Sequence, residues 1–171
     1  MSASPEAGSR PRTVTRRFED VTVGEALPEL PVPLTRTLIV STALASRDYQ
    51  DVHHDSVLAA ERGSKDIFMN ILSTNGIVGR YVTDWSGPGG VLTDVKIRLG
   101  APNYPDDTMT LTGSVTAKDD AVGPDGRGGV EVTLRGANGL GDHVTGTVTL
   151  RLPSADDAGT PADGAGEGTV R

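Results

Sequence analysis

The sequence predicts an α+β protein in which an antiparallel sheet curls around one long central helix. Apolar residues recur with period two in four segments between Val91 and Leu152. Ahead of them, apolar residues between Ile67 and Val82 cover most of a helical circumference, the pattern of a buried helix. A turn-forming break, SGPGG from Ser86 to Gly90, separates the two patterns. A sheet wrapped around one helix is the economical way to bury such a helix.

The elements follow in order. Gly24 to Pro33 holds short apolar pieces broken by prolines, which predicts an edge strand or an extended lead-in. Leu34 to Leu44 (LTRTLIVSTAL) has β-branched residues spread through it and reads as a strand running into a polar cluster. Asp55 to Gly63 predicts a short helix, capped by Asp55 or Ser56, with Leu58, Ala59 and Arg62 at helical spacing and Gly63 as its stop. The long helix follows in SKDIFMNILSTNGIVGRYVTDWSG, with Ser64 or Asp66 as N-cap. Gly76 and Gly79 weaken it locally, so they are expected to let another backbone approach. Four strands then span Val91–Leu99, Thr108–Ala117, Val130–Ala137 and His143–Leu152, joined by the turn-rich GAPNYPDD, KDDAVGPDGRGG and NGLGD.

Composition bounds the function. Of 171 residues, 1–17 and 154–171 are rich in Gly, Ala, Pro, Ser and charge and are expected to be flexible tails. About 135 residues remain, 18–153, enough for one domain with a core. The absence of cysteine excludes disulfides and thiolate metal sites and is compatible with the expected cytoplasmic location. Arg10, Arg12, Arg16 and Arg17 are not followed by an apolar stretch, so a secretory signal is not expected. No run of 18 apolar residues predicts a membrane span. A net charge of −7, with no basic patch among aromatics, argues against a nucleic-acid partner.

The segment RDYQDVHHDSVLAAERG (47–63) concentrates the titratable side chains, including two of the three histidines, His53, His54 and His143. The five-residue offset from Asp48 to His53 suits a loop folding back at a strand end, with both side chains facing one cleft. From spacing alone, an acid–base pair and a merely polar loop both fit. A metal site built on His53, His54 and Asp55 is not expected, because adjacent residues on an extended segment point to opposite faces. His54 and Asp55 are expected to orient the loop and cap the short helix. His143 reads as structural, Trp85 as a hydrophobic plug, and Asp106 and Asp107 as turn residues.

These residues resemble the MaoC-like, R-specific enoyl-CoA hydratase branch of the hot-dog folds. RRFEDVTVGEALPEL resembles the family's N-terminal segment, Asp48-x4-His53-x5-Ala59 its hydratase signature, and NYPDDTMTLTGSVT a later strand. STALASRDYQDVHHD, GSKDIFMNIL, RYVTDWSGP and NGLGDHVTGTV are similar to the small MaoC-like subunits of actinobacterial cholesterol side-chain enoyl-CoA hydratases. The likeness covers roughly residues 18–152. Two positions depart from the common pattern: Asp51-Val52 replaces Asn-Pro, and Asn70-Ile71 replaces His-Gly near the start of the central helix.

The resemblance implies water addition to a trans-2-enoyl-CoA, a CoA thioester, with no cofactor and no metal. Asp48 and His53 would activate the water, and the oxyanion donor would lie at Asn70 and Ile71, with the Ile71 backbone N–H preferred. Asn70 is read equally well as satisfying buried backbone groups. The implied partner is a second, larger MaoC-like chain with an OB-fold domain, giving a heterodimer or heterotetramer. Two alternatives stand: a homodimeric hydratase of fatty enoyl-CoAs, and a silent subunit that binds acyl-CoA or braces its partner. The retained Asp48 and His53 argue against silence. Hot-dog thioesterases usually take a carboxylate from the central helix, and 67–82 contains none.

Overall fold

The computed structural model describes residues 14–155, so most of both expected tails lies outside the described residues. Element order is β1 (Leu30–Leu34), α1 (Arg36–Ala45), α2 (Ser56–Glu61), α3 (Ile71–Ser86), β2 (Val91–Leu99), β3 (Asp107–Lys118), β4 (Arg127–Asn138) and β5 (Gly141–Pro153). The strands form one antiparallel sheet in the order β1-β3-β4-β5-β2. Its inner face is the apolar half of each alternating pattern: Met109, Leu111 and Val115 on β3, Val130, Val132 and Leu134 on β4, and Val144, Val148 and Leu150 on β5. Val78, Tyr81, Val82 and Trp85 of α3 are buried in the same core.

All four strands after the Gly-rich break form where expected, and β1 is the expected edge strand, paired with β3 alone. The segment that forms α1 is different. Leu34 to Leu44 does not form a strand beyond Leu34; Arg36–Ala45 is a helix. Thr35 caps it, accepting from Leu38 N at 3.0 Å, and Ile39 and Ala43, four apart, are fully buried. The Thr42 and Ser46 hydroxyls bond back to carbonyls one turn earlier, at 2.7 and 2.8 Å, so these residues do not disrupt it. Burial of one face against the core overrides weak β propensity.

The long helix also starts later than expected. Its N-cap is Asn70, with extended backbone, not Ser64 or Asp66, and residues 67–70 are not helical. That piece is pinned by Phe68 N to Val52 O and Met69 N to Asn103 O, both 3.0 Å. Ile67 and Met69 therefore alternate into the core rather than following a helical face. Nor is α3 buried all round: Ile71 and Leu72 are half exposed, and Gly76, Arg80 and Asp84 are exposed on the same side.

Close helix approach comes from the sheet rather than from Gly76 and Gly79. A Cβ at Gly76 would meet nothing within 4 Å, and one at Gly79 only Leu92 at 3.7 Å. On β3, a Cβ at Gly113 would sit 2.9 Å from Thr133 O and 3.3 Å from the Tyr81 ring. Gly113 thus opens the sheet to Tyr81. Residues 14–17 are tied to the domain: Arg16 N donates to Ser86 O, and the Arg17 guanidinium to Ser154 O.

Candidate active site

The end of α1 fixes the first site residue. Ser46 is the C-cap, and Arg47 follows with φ +57. Arg47 N donates to Leu44 O at 3.0 Å and Asp48 N to Ala43 O at 2.9 Å. This is the Schellman closure, in which the left-handed residue is usually glycine. Arginine in that conformation costs about 1 kcal/mol or more. The turn throws Asp48 off the helix end, and a 3-10 turn at Asp51–His53 brings His53 back towards it. A helix terminus, not a strand end, therefore supplies the five-residue return.

His53 is buried, with its ring edge-on to Phe68 at 4.9 Å between centroids. Its Nδ1 lies 2.7 Å from Phe68 O and its Nε2 3.4 Å from Asp48 Oδ2. A carbonyl only accepts, so Nδ1 carries a proton, and Nε2 is the ring nitrogen turned towards Asp48. Asn70 Nδ2 donates to Asp48 Oδ2 and to Ser46 Oγ, each at 2.9 Å. Both donors of that carboxamide are thereby committed. Its Oδ1 accepts from Ser73 N at 2.9 Å and from the Ser73 hydroxyl, capping α3. The Asn70 donor holds the Asp48 carboxyl below the usual carboxylate range, helped by the Gln50 amide and by His53 and opposed by partial burial.

Asp48, His53 and Asn70 thus converge, and Ile71 adjoins them as the first residue of α3. Among the described residues the Ile71 N–H has no acceptor, as expected for the first turn of a helix. The histidine pair diverges: His54 is exposed, with Nε2 3.2 Å from Tyr49 O. Among the described residues no three His, Asp or Glu side chains gather as metal ligands would. Asp55 caps α2 through Val57 N and Leu58 N.

His143 is buried behind the site. Its Nδ1 meets Ala101 O at 2.7 Å and its Nε2 the Thr74 hydroxyl at 2.9 Å, and burial pushes its pKa down. Trp85 is buried, with Nε1 3.3 Å from Glu25 Oε1 and the Arg16 guanidinium over its ring. Sequence reasoning missed Ser46, Phe68 and Ser73. Asn70 with Ser73 three positions later is a legible capping signal; the other two carry none.

Comparison with known proteins then gives a specific answer. The chain is 52% identical over 130 residues to the 3-oxo-4,17-pregnadiene-20-carboxyl-CoA hydratase beta subunit of Mycobacterium tuberculosis, spanning 76% of this chain and 95% of that one. It matches the crystal structure of the ChsH1-ChsH2 complex from the same organism with a TM-score of 0.71 and 52% identity, over 77% of this chain and 98% of that one. The R-hydratase PhaJ1 from Pseudomonas aeruginosa superposes with a TM-score of 0.69 at 20% identity, over 81% and 86% of the two chains. At that identity the likeness shows the fold alone, the hot-dog architecture. No family profile matches the chain.

Proposed function

This chain belongs to the MaoC-like hydratases, and from that premise we propose that it is the subunit of an enoyl-CoA hydratase that adds water across the 2,3-double bond of a steroid side-chain enoyl-CoA. It works in the cytoplasm with a second, non-identical MaoC-like chain. The substrate and the partnership follow from the 52% identical relative, named as a hydratase beta subunit acting on a pregnadiene carboxyl-CoA. The observation that carries the chemistry is the 3.4 Å approach of His53 Nε2 to Asp48 Oδ2.

Two acceptors that close can share one water, each taking one of its O–H groups, which turns the oxygen lone pair towards the β-carbon. As the O–Cβ bond forms, the water proton passes to Asp48, and that carboxyl then delivers it to the α-carbon. The negative charge gathering on the thioester oxygen is met by the Ile71 N–H at the positive end of α3. Asn70 holds the carboxylate in position and keeps it ionised, rather than binding the oxyanion with its side chain. No cofactor is needed, because the substrate carries its own activating thioester. No metal is needed either, because the paired acceptors orient and deprotonate the water.

The test is co-expression with the genomic neighbours, followed by hydration assays with steroid and fatty enoyl-CoAs. Asp48→Asn and His53→Ala should each lower turnover by roughly 10²–10⁴-fold, the range for an acid–base group. Assembly should persist in both. Turnover retained in both variants would remove the mechanism.

A further inference from the structure

We propose that Arg47 is a substrate-binding residue that takes a phosphate of the coenzyme A moiety. The inference rests on the proposed hydratase function and adds to it the recognition of the nucleotide end of the substrate. It starts from a conformational misfit. Arg47 has φ +57 at the helix-closing position that glycine adopts freely, and the turn it makes aims Asp48. Glycine would close the same turn without steric opposition, so the closure gives no reason for an arginine there.

Nor do the described residues use the side chain. Arg47 is exposed, and its guanidinium makes no ion pair or hydrogen bond among the described residues. The other basic side chains between Thr35 and Ser86 are engaged: Arg36 with Asp66, Arg62 with Asp51, Arg80 with Asp84, and Lys65 over the Tyr104 ring. Asp48, its neighbour, is held by Asn70 and faces His53, and Asp51 is taken by Arg62. A guanidinium without a partner among the described residues thus extends from the residue next to the proposed acid–base group, in a chain of net charge −7.

Such a chain repels a polyanion unless local cations draw it in. Coenzyme A is a polyanion, with a diphosphate and a ribose phosphate, and its thioester end must reach Asp48. A planar guanidinium pairs with phosphate oxygens in bidentate fashion. Strain tolerated at a functional turn is consistent with such a role.

The test compares wild type with Arg47→Gly and Arg47→Lys, as full-length chains in the assembly in which they purify. Binding of coenzyme A and of pantetheine, which lacks the nucleotide, is measured by calorimetry, with hydration assayed in parallel. Arg47→Gly should weaken coenzyme A about tenfold or more, as for a lost charged hydrogen bond. It should leave pantetheine unchanged and the melting temperature no lower. Arg47→Lys should retain part of the affinity, and raised salt should weaken wild type more than Arg47→Gly. Unchanged coenzyme A affinity in Arg47→Gly, or equal weakening of both ligands, overturns the proposal. Absent hydration with this binding pattern intact would instead remove the hydratase reading alone.

Discussion

Asp48 and Asn70 form one hydrogen-bonded unit, although 22 residues separate them. The carboxylate is ionised over a wider pH range than usual because Asn70 donates to the charged form. A folded pKa below the unfolded one means that Asp48 stabilises the fold at neutral pH. That contribution is lost as pH falls from the usual carboxylate range through the lowered folded value. The acid limb of the kcat/KM profile should share this, falling away only below the usual carboxylate range. Asn70→Ala removes the donor, so that limb should move to higher pH; an unmoved limb would separate Asn70 from the base. The variant also loses the α3 cap, at about 1 kcal/mol, which a urea midpoint would read separately. At this scale the Asp48–His53 spacing was legible. The Asn70 contact to Asp48 was not, because a chain return of that length leaves no local pattern.

The elements divide by what holds them. The strands after Gly90 are specified by alternation, since each buries one face and a register slip would expose it. The α1 segment offers Thr, Ile and Val at positions where local propensity favours a strand. Its helical state comes from the Thr35 cap and from Ile39 and Ala43 packing into the core, and only the second needs tertiary structure. Thr35→Ala should therefore cost about 1 kcal/mol without unfolding the domain. Gly113 tests the sheet side of the same packing. Gly113→Ala places a Cβ against Thr133 O and the Tyr81 ring, an overpacking cost of about 1–3 kcal/mol. Gly76→Ala, in open space in mid-helix, should stabilise by up to about 1 kcal/mol. Chemical denaturation of both glycine variants would show opposite signs. Equal destabilisation would place the close approach back on the helix.

For the whole molecule, the two sheet edges are unequal. The β1 edge carries Pro31 and Pro33, which remove backbone donors and discourage strand addition. At the other end β2 pairs only with β5, and its free side is a nine-residue strand with Val91 and Leu99 exposed. Asp94, Lys96 and Arg98 and a register shift between Leu92 and Asp94 temper this edge, yet unlike β1 it holds no proline and keeps its backbone donors for another strand. The half-exposed Ile71 and Leu72 at the start of α3 add apolar surface beside the proposed site. A second MaoC-like chain docking along β2 would continue the sheet and could widen the site towards the size of a steroid ring system. The co-expressed complex should therefore contain both chains in equal number and hydrate a steroid-sized enoyl-CoA, while this chain alone is weakly active. Hydrogen exchange should slow at the amides of Val91–Leu99 on assembly and stay unchanged at Leu30–Leu34. Protection appearing at β1 instead would relocate the interface. A stable homodimer that hydrates short or medium fatty enoyl-CoAs at full rate by itself would sink the partnership and favour the fatty-acyl reading.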